Sequence, residues 1–222
     1  MSDSVFQDAH LIGVYVARKI AKLQASFLSS GSGSAAARAS LARLRRLDQP
    51  SGGVWAAAGS ELFQGLPDMG ASRKDEERML KAVKSALKLY AYHQQSKSMP
   101  MALIKPDDED EGTVRRRSFG WSCRAIEFDL EESSGVVRRM AALESARDIS
   151  GIVNGLRSLI QLMRANDVPV DYYQLARDLY LLQFDGCRSE VFMRWSRDYY
   201  RSYSKQKNSE VQDDKGSNGE ES

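Results

Sequence analysis

Ile12, Val16, Ile20, Leu23 and Phe27 follow one another at steps of four, four, three and four residues. A chain that turns every ~3.6 residues brings all five to one side, so the spacing predicts a long amphipathic helix over Val5 to Leu28. The pattern recurs along the sequence. Leu80, Val83, Leu87 and Tyr90 define the inner face of a helix over Arg73 to Gln95. Ile149, Ile152, Val153, Leu156, Leu159, Ile160 and Met163 form a wide apolar stripe over Ile149 to Ala165. Further helices are expected at 35–47, around Trp55 to Phe63, at 118–131, at 136–145, from an Asp171 cap through Phe184, and at 188–203. Only 16 Gly and 5 Pro punctuate the 222 residues, too few for a turn-rich sandwich or barrel. The expected fold is all-α, with no sheet.

Breaks divide this pattern. Ser29 to Ser34 reads as a flexible connector, Pro50-Ser51-Gly52-Gly53 as a stop, and Gly65 to Gly70 as a loop. Residues 98–117 hold two prolines, the acidic block Asp107 to Glu111, and Arg115-Arg116-Arg117. The expected organisation is two small helical bundles, residues 1–97 and 118–203, joined by an exposed loop over 98–117. The polar stretch 204–222, with Val211 as its one apolar residue, is expected to be a disordered tail.

The residues that catalysis needs are sparse. His10 and His93 lie far apart, and neither belongs to a metal-binding pattern. The Gly-rich runs lack the Lys-Ser/Thr ending of a phosphate loop, and no nucleophile elbow is present. Cys123 and Cys187 are too few for a disulfide framework and are expected to be reduced and packed. No apolar run reaches the roughly 18 residues of a membrane span, and no secretory signal is visible. These features predict a non-enzyme with no cofactor or metal, cytoplasmic and away from membranes.

Charge is what remains. The formal net charge is only +2. The acidic block contributes −5 and the stretch 204–222 a further −2, leaving +9 on the rest. Four groups of cations stand out: Arg38, Arg43, Arg45 and Arg46; Lys74, Lys81, Lys84 and Lys88; Arg115, Arg116, Arg117 and Arg124; and Arg138, Arg139, Arg147 and Arg157. A guanidinium presents a planar fork of donors that suits phosphate oxygens, and several such contacts bind nucleic-acid backbone whatever its base sequence. Nothing in the chain resembles a base-reading motif, so any recognition is expected to be of backbone.

Several segments, taken in order, resemble the CasB family, the small subunit of the type I-E CRISPR surveillance complex Cascade. They are Ala42-Arg43-Leu44-Arg45-Arg46-Leu47 followed by Trp55 to Phe63, then Ser118-Phe119-Gly120-Trp121-Ser122-Cys123-Arg124-Ala125-Ile126. Next come Arg138-Arg139-Met140 with Leu143, and Leu156-Arg157-Ser158-Leu159-Ile160. The most specific is Val168-Pro169-Val170-Asp171-Tyr172 leading to Leu175-Ala176-Arg177-Asp178-Leu179, and the series closes on Trp195-Ser196-Arg197-Asp198-Tyr199-Tyr200. The resemblance spans about residues 38 to 203. Tyr172 stands where the family usually has Trp, no Trp follows Leu179 where one is common, and the acidic loop and charged tail look like additions.

The resemblance implies an all-α, non-catalytic subunit, two copies of which lie end to end in the complex. Its implied partners are the subunits that hold the CRISPR RNA, the large subunit, the CRISPR RNA itself and the target DNA backbone. Basic helix faces would stabilise target binding and the displaced strand in antiviral defence. Opening a duplex to pair one strand with guide RNA is a near-balanced exchange, so backbone contacts can tip it. The residues expected to make them are Arg43, Arg46, Arg124, Arg139, Arg147 and Arg157, with Arg115, Arg116 and Arg117 beside them. The alternative is a helical protein–protein adaptor or regulator that binds no nucleic acid. A helical nuclease would need a His or carboxylate constellation that the sequence does not display.

Overall fold

The structure, a computed structural model, describes residues 3–49, 53–68, 72–104, 117–127 and 134–216. In chain order the helices are α1 (Asp3–Leu28), α2 (Ser32–Arg45), α3 (Val54–Ala57), α4 (Gly59–Phe63) and α5 (Arg73–His93). They continue with α6 (Phe119–Ala125), α7 (Ser134–Ser145), α8 (Ile149–Ala165), α9 (Tyr172–Leu181) and α10 (Asp185–Gly216). Among the described residues the only β pairing is an isolated parallel bridge between Ala102 and Val170, so the fold is all-α. Helix α10 runs through Ser204 to Gly216, and residues 217–222, like the acidic block 107–111, lie outside the described residues.

Helix starts follow local chemistry. Ser72, Asp148 and Asp171 cap α5, α8 and α9, each side chain accepting from a first-turn N–H, of Asp75, Gly151 and Gln174 respectively. Asp167, at φ 56, closes α8 in the left-handed conformation, and the Val168 N–H bonds back to the Met163 carbonyl at 2.9 Å. The Ser/Gly run after α1 departs from the flexible connector its composition suggests. Helix α2 begins at Ser32, Gly31 takes φ 132 to reverse the chain, and the Ser34 hydroxyl donates to the Phe27 carbonyl at 3.2 Å. A tight hairpin results, because these small polar residues satisfy a free carbonyl at the end of α1.

Two groups of helices form and share one core. In the first, α1, α2 and α5 pack together with α9; in the second, α6 lies on α10 and α7 on α8, with α8 also against α5. Helix α9 comes from the second half of the chain but packs on α1 and α5. All of its residues except Arg177 are buried, so it needs cover on every side. Gly13 permits the α1 approach: a Cβ there would lie 2.8 Å from Arg177 Cγ and 2.9 Å from the Tyr173 ring.

Asp178, with no exposure, joins α9 to α10. It accepts from Trp195 Nε1 at 2.6 Å, from Gln174 Nε2 at 2.8 Å and from the Arg194 guanidinium. Burial raises its pKa, and Arg194, Trp195 and Gln174 act in the opposite direction. Residues 99–104 are held by two buried glutamines. Gln94 donates to the Met99 carbonyl at 2.9 Å and accepts from the Met101 N–H at 3.1 Å; Gln24 pairs in the same two-sided way with Ala102, at 3.2 and 2.9 Å.

Gly120 sits where α6 meets α10, and a Cβ on it would fall inside the van der Waals radius of the Trp195 carbonyl. The Gly120→Ala substitution must therefore force the two helices apart. Urea unfolding should report a loss of about 1–3 kcal/mol.

His93 is fully buried, its Nδ1 3.1 Å from the Tyr172 hydroxyl. Burial pulls its pKa from 6.5 down to about 3, with Arg164 and Lys97 adding to the effect and a backbone hydrogen bond at Val168 opposing it. The unfolded chain therefore takes up the proton first. This contribution to stability is complete above pH 6.5 and is lost as the pH falls toward 3, at about 1.4 kcal/mol per pH unit. Unfolding free energies between pH 6 and pH 4 should show that slope, and His93→Gln should flatten it.

Candidate nucleic-acid interface

The apolar face of α5 turns Met79, Val83, Leu87 and Tyr90 inward; Lys74 and Lys81 are exposed, while Lys84 and Lys88 lie partly buried at its edge, with side chains 28% and 11% exposed. Helix α8 lies beside α5 and runs the same way. At one end Arg147, Asp148 and Ile149 line a cleft with Lys74, Arg78 and Lys81; at the other, Arg164 Nη1 donates to the Tyr92 carbonyl at 3.4 Å. Cations on the two helices therefore face the same seam. From Lys74 to Lys88 it rises about 21 Å.

The densest part surrounds Tyr92. The Arg157 guanidinium lies 4.1 Å from the ring centroid and Lys88 Nζ 5.9 Å from it. The Tyr92 hydroxyl donates to the Arg45 carbonyl at 3.1 Å, and Arg45 Nη1 donates to the Ala91 carbonyl at 3.1 Å. Two turns before Tyr92 on α5, Lys84 Nζ is 5.0 Å from the Trp55 ring. Asp48 bridges Lys84, at 2.6 Å, and Lys88. Among the described residues it is the one carboxylate ion-paired with any of Arg45, Lys84, Lys88, Arg157 and Arg164.

Burial is the main influence on these cations, with like charge adding to it at Lys88 and Arg45. Burial lowers the pKa of Lys84 and Lys88, and Arg157 lowers that of Lys88 further. Arg45 is lowered chiefly by burial, with Arg46 and Arg164 contributing. Like charges held this close favour an anion that arrives to share them.

The residues singled out from sequence fall in different places. Arg157 is at the centre of the seam, Arg147 lines its far cleft, and exposed Arg46 follows Arg45 at the end of α2. Arg43 is drawn to Glu61 at 2.5 Å and to Ser40 at 2.9 Å. Arg124 is buried at 5% exposure, its guanidinium donating to the Glu127 carbonyl, so it braces the end of α6 from the inside. Exposed Arg139 stands apart on α7 and donates to the Gly135 carbonyl of its own helix at 3.0 Å. Arg117 stacks on Trp121 at 3.8 Å, and Arg115 and Arg116 lie outside the described residues. The structure adds Arg45, Lys84, Lys88, Arg164 and Tyr92 to the seam. The sequence groups the lysines, but nothing in it says that α8 lies against them.

The two cysteines are buried and free, and burial pushes the Cys123 thiol well up. Among the described residues no group of three or more His, Cys, Asp and Glu could hold a metal ion, and no helix is long and apolar enough to cross a membrane.

Residues 40–200 match the family described as CRISPR-associated protein Cse2. No curated protein matches the chain. Among solved structures, CasB from Thermobifida fusca is similar with a TM-score of 0.64 and 24% identity, over 85% of this chain and 97% of that one. CasB from M. ruber is similar with a TM-score of 0.56 and 20% identity, over 86% of this chain and 97% of that one. These likenesses show the same helical fold, and the family match covers well over half of the sequence. The chain belongs to the CRISPR-associated protein Cse2 family, the CasB family of type I-E Cascade.

Proposed function

We propose that this chain is a non-catalytic small subunit of Cascade whose α5–α8 seam holds nucleic-acid backbone. One observation carries the reading: Arg45, Lys84, Lys88, Arg157 and Arg164 converge on Tyr92 and Trp55 with Asp48 as their one ion-pair partner among the described residues. Each phosphate they neutralise releases counterions, an affinity that needs no base readout. In the assembled complex such contacts would hold the target-bound form and the displaced strand, tipping an exchange that is otherwise nearly balanced. The CRISPR RNA, the target DNA, the other subunits and a second copy of the chain are the partners this role requires.

A single-stranded 20-nucleotide DNA tests this by fluorescence anisotropy, with the full chain alone and within the assembled complex. Lys88→Glu combined with Arg157→Glu should weaken binding tenfold or more and reduce the slope of log affinity against log salt by about 1.4. Arg139→Glu, away from the seam, should leave both unchanged. Parent-like binding by the double variant would remove the proposal, and binding only to acidic proteins would favour the adaptor reading.

Asp48→Asn should act in the opposite sense. It frees both lysines, so the variant should elute from a heparin column at higher salt than the parent.

A further inference from the structure

Trp55 stands beside this seam, and phosphate binding gives it no role. It is 52% exposed, on a helix with no buried residue. An indole offers much apolar area and is highly buried on average, so one left this open beside a row of cations calls for a partner. The ring is nonetheless positioned. Lys84 Nζ lies over it, and Asp48 fixes that ammonium at 2.6 Å.

Tyr92 makes the contrast. Its hydroxyl is committed to Arg45 and its ring to Arg157 and Lys88, so it has little left to offer a ligand. Among the described residues, Lys84 is the one cation that lies over the Trp55 ring. Lys84 and Lys88 are one turn apart, about 6 Å along α5. A strand whose phosphates follow these two lysines carries a base at the level of Trp55. In a single strand that base is unpaired and free to turn onto the indole; in a duplex it is paired and stacked inside.

We propose that Trp55 stacks an unpaired nucleobase of a single strand whose phosphates lie along Lys84 and Lys88, so that this surface selects single-stranded over duplex nucleic acid. The inference rests on the seam being a backbone-binding surface. Stacking on an aromatic platform tolerates any base, so the selection is for strandedness and not for sequence.

The experiment uses the full chain and three probes of equal length: oligothymidine, an abasic phosphodiester oligomer, and a duplex. Trp55→Ala should weaken oligothymidine binding about 5- to 100-fold, the worth of one stacked base, and leave the abasic oligomer and the duplex unchanged. Trp55→Phe should recover most of the loss. Circular dichroism should be unaltered in both variants. Equal loss on the abasic oligomer would mean that Trp55 only positions Lys84 and would overturn the proposal, as would no loss on any probe. If the parent binds oligothymidine and the abasic oligomer equally while Lys88→Glu still weakens both, stacking fails and the backbone reading stands. If the parent binds none of the probes, both fall together.

Discussion

A carboxylate with no solvent exposure costs several kcal/mol unless its charge and lone pairs are met, and Asp178 has them met from two helices. Gln174 supplies a donor from its own helix; Trp195 and Arg194 supply theirs from α10. Such a group tolerates few arrangements of its neighbours. It fixes the α9–α10 approach, and α9 in turn fills the space between α1 and α5. The position of α5, and with it the row of lysines along its seam with α8, thus depends on a buried acid on another helix.

The seam itself comes from two apolar stripes meeting. Helix α8 buries Ile152, Leu156, Leu159, Ile160 and Met163, and α5 buries its own stripe, so the polar edges of both are left side by side. Lysines and arginines on those edges become neighbours without any attraction between them. The repulsion is offset by hydrophobic burial beneath, by one shared carboxylate, and by an aromatic ring placed where a guanidinium can lie on it. A surface built this way is held in an electrostatically unsatisfied state by the core below.

Much of the architecture could be read from spacing. The stripes of α1, α5 and α8, the Asp171 cap and the turn before it all reflect local chemistry, and local chemistry is what a sequence displays. The α1–α2 hairpin was not legible, because Ser and Gly suit a loose linker as well as a tight reversal; the decisive contact of Ser34 with Phe27 is a matter of geometry. Periodicity also names a helix's buried face without naming its partner, so the passage of α9 into the first group of helices stayed hidden. Charged residues were hardest. Arg124 and Arg157 look alike in sequence, yet one is turned inward onto a carbonyl and the other lies outside on a ring. Asp178 likewise gives no local sign that it is the most buried acid among the described residues.

The paired glutamines on residues 99–104 bear on how this fold could vary. Gln24 and Gln94 imitate a strand partner, each donating to one backbone carbonyl and accepting from one backbone N–H of residues 99–102, and Val170 adds the bridge from a third direction. The chain thus leaves Ile104 from a mounting bolted to α1, α5 and the start of α9. These contacts fix residues 99–104 on the helices whatever the length of chain between Ile104 and Arg117. A mount of this kind would let a lineage experiment with the composition and length of the segment that follows while the scaffold behind it stays the same.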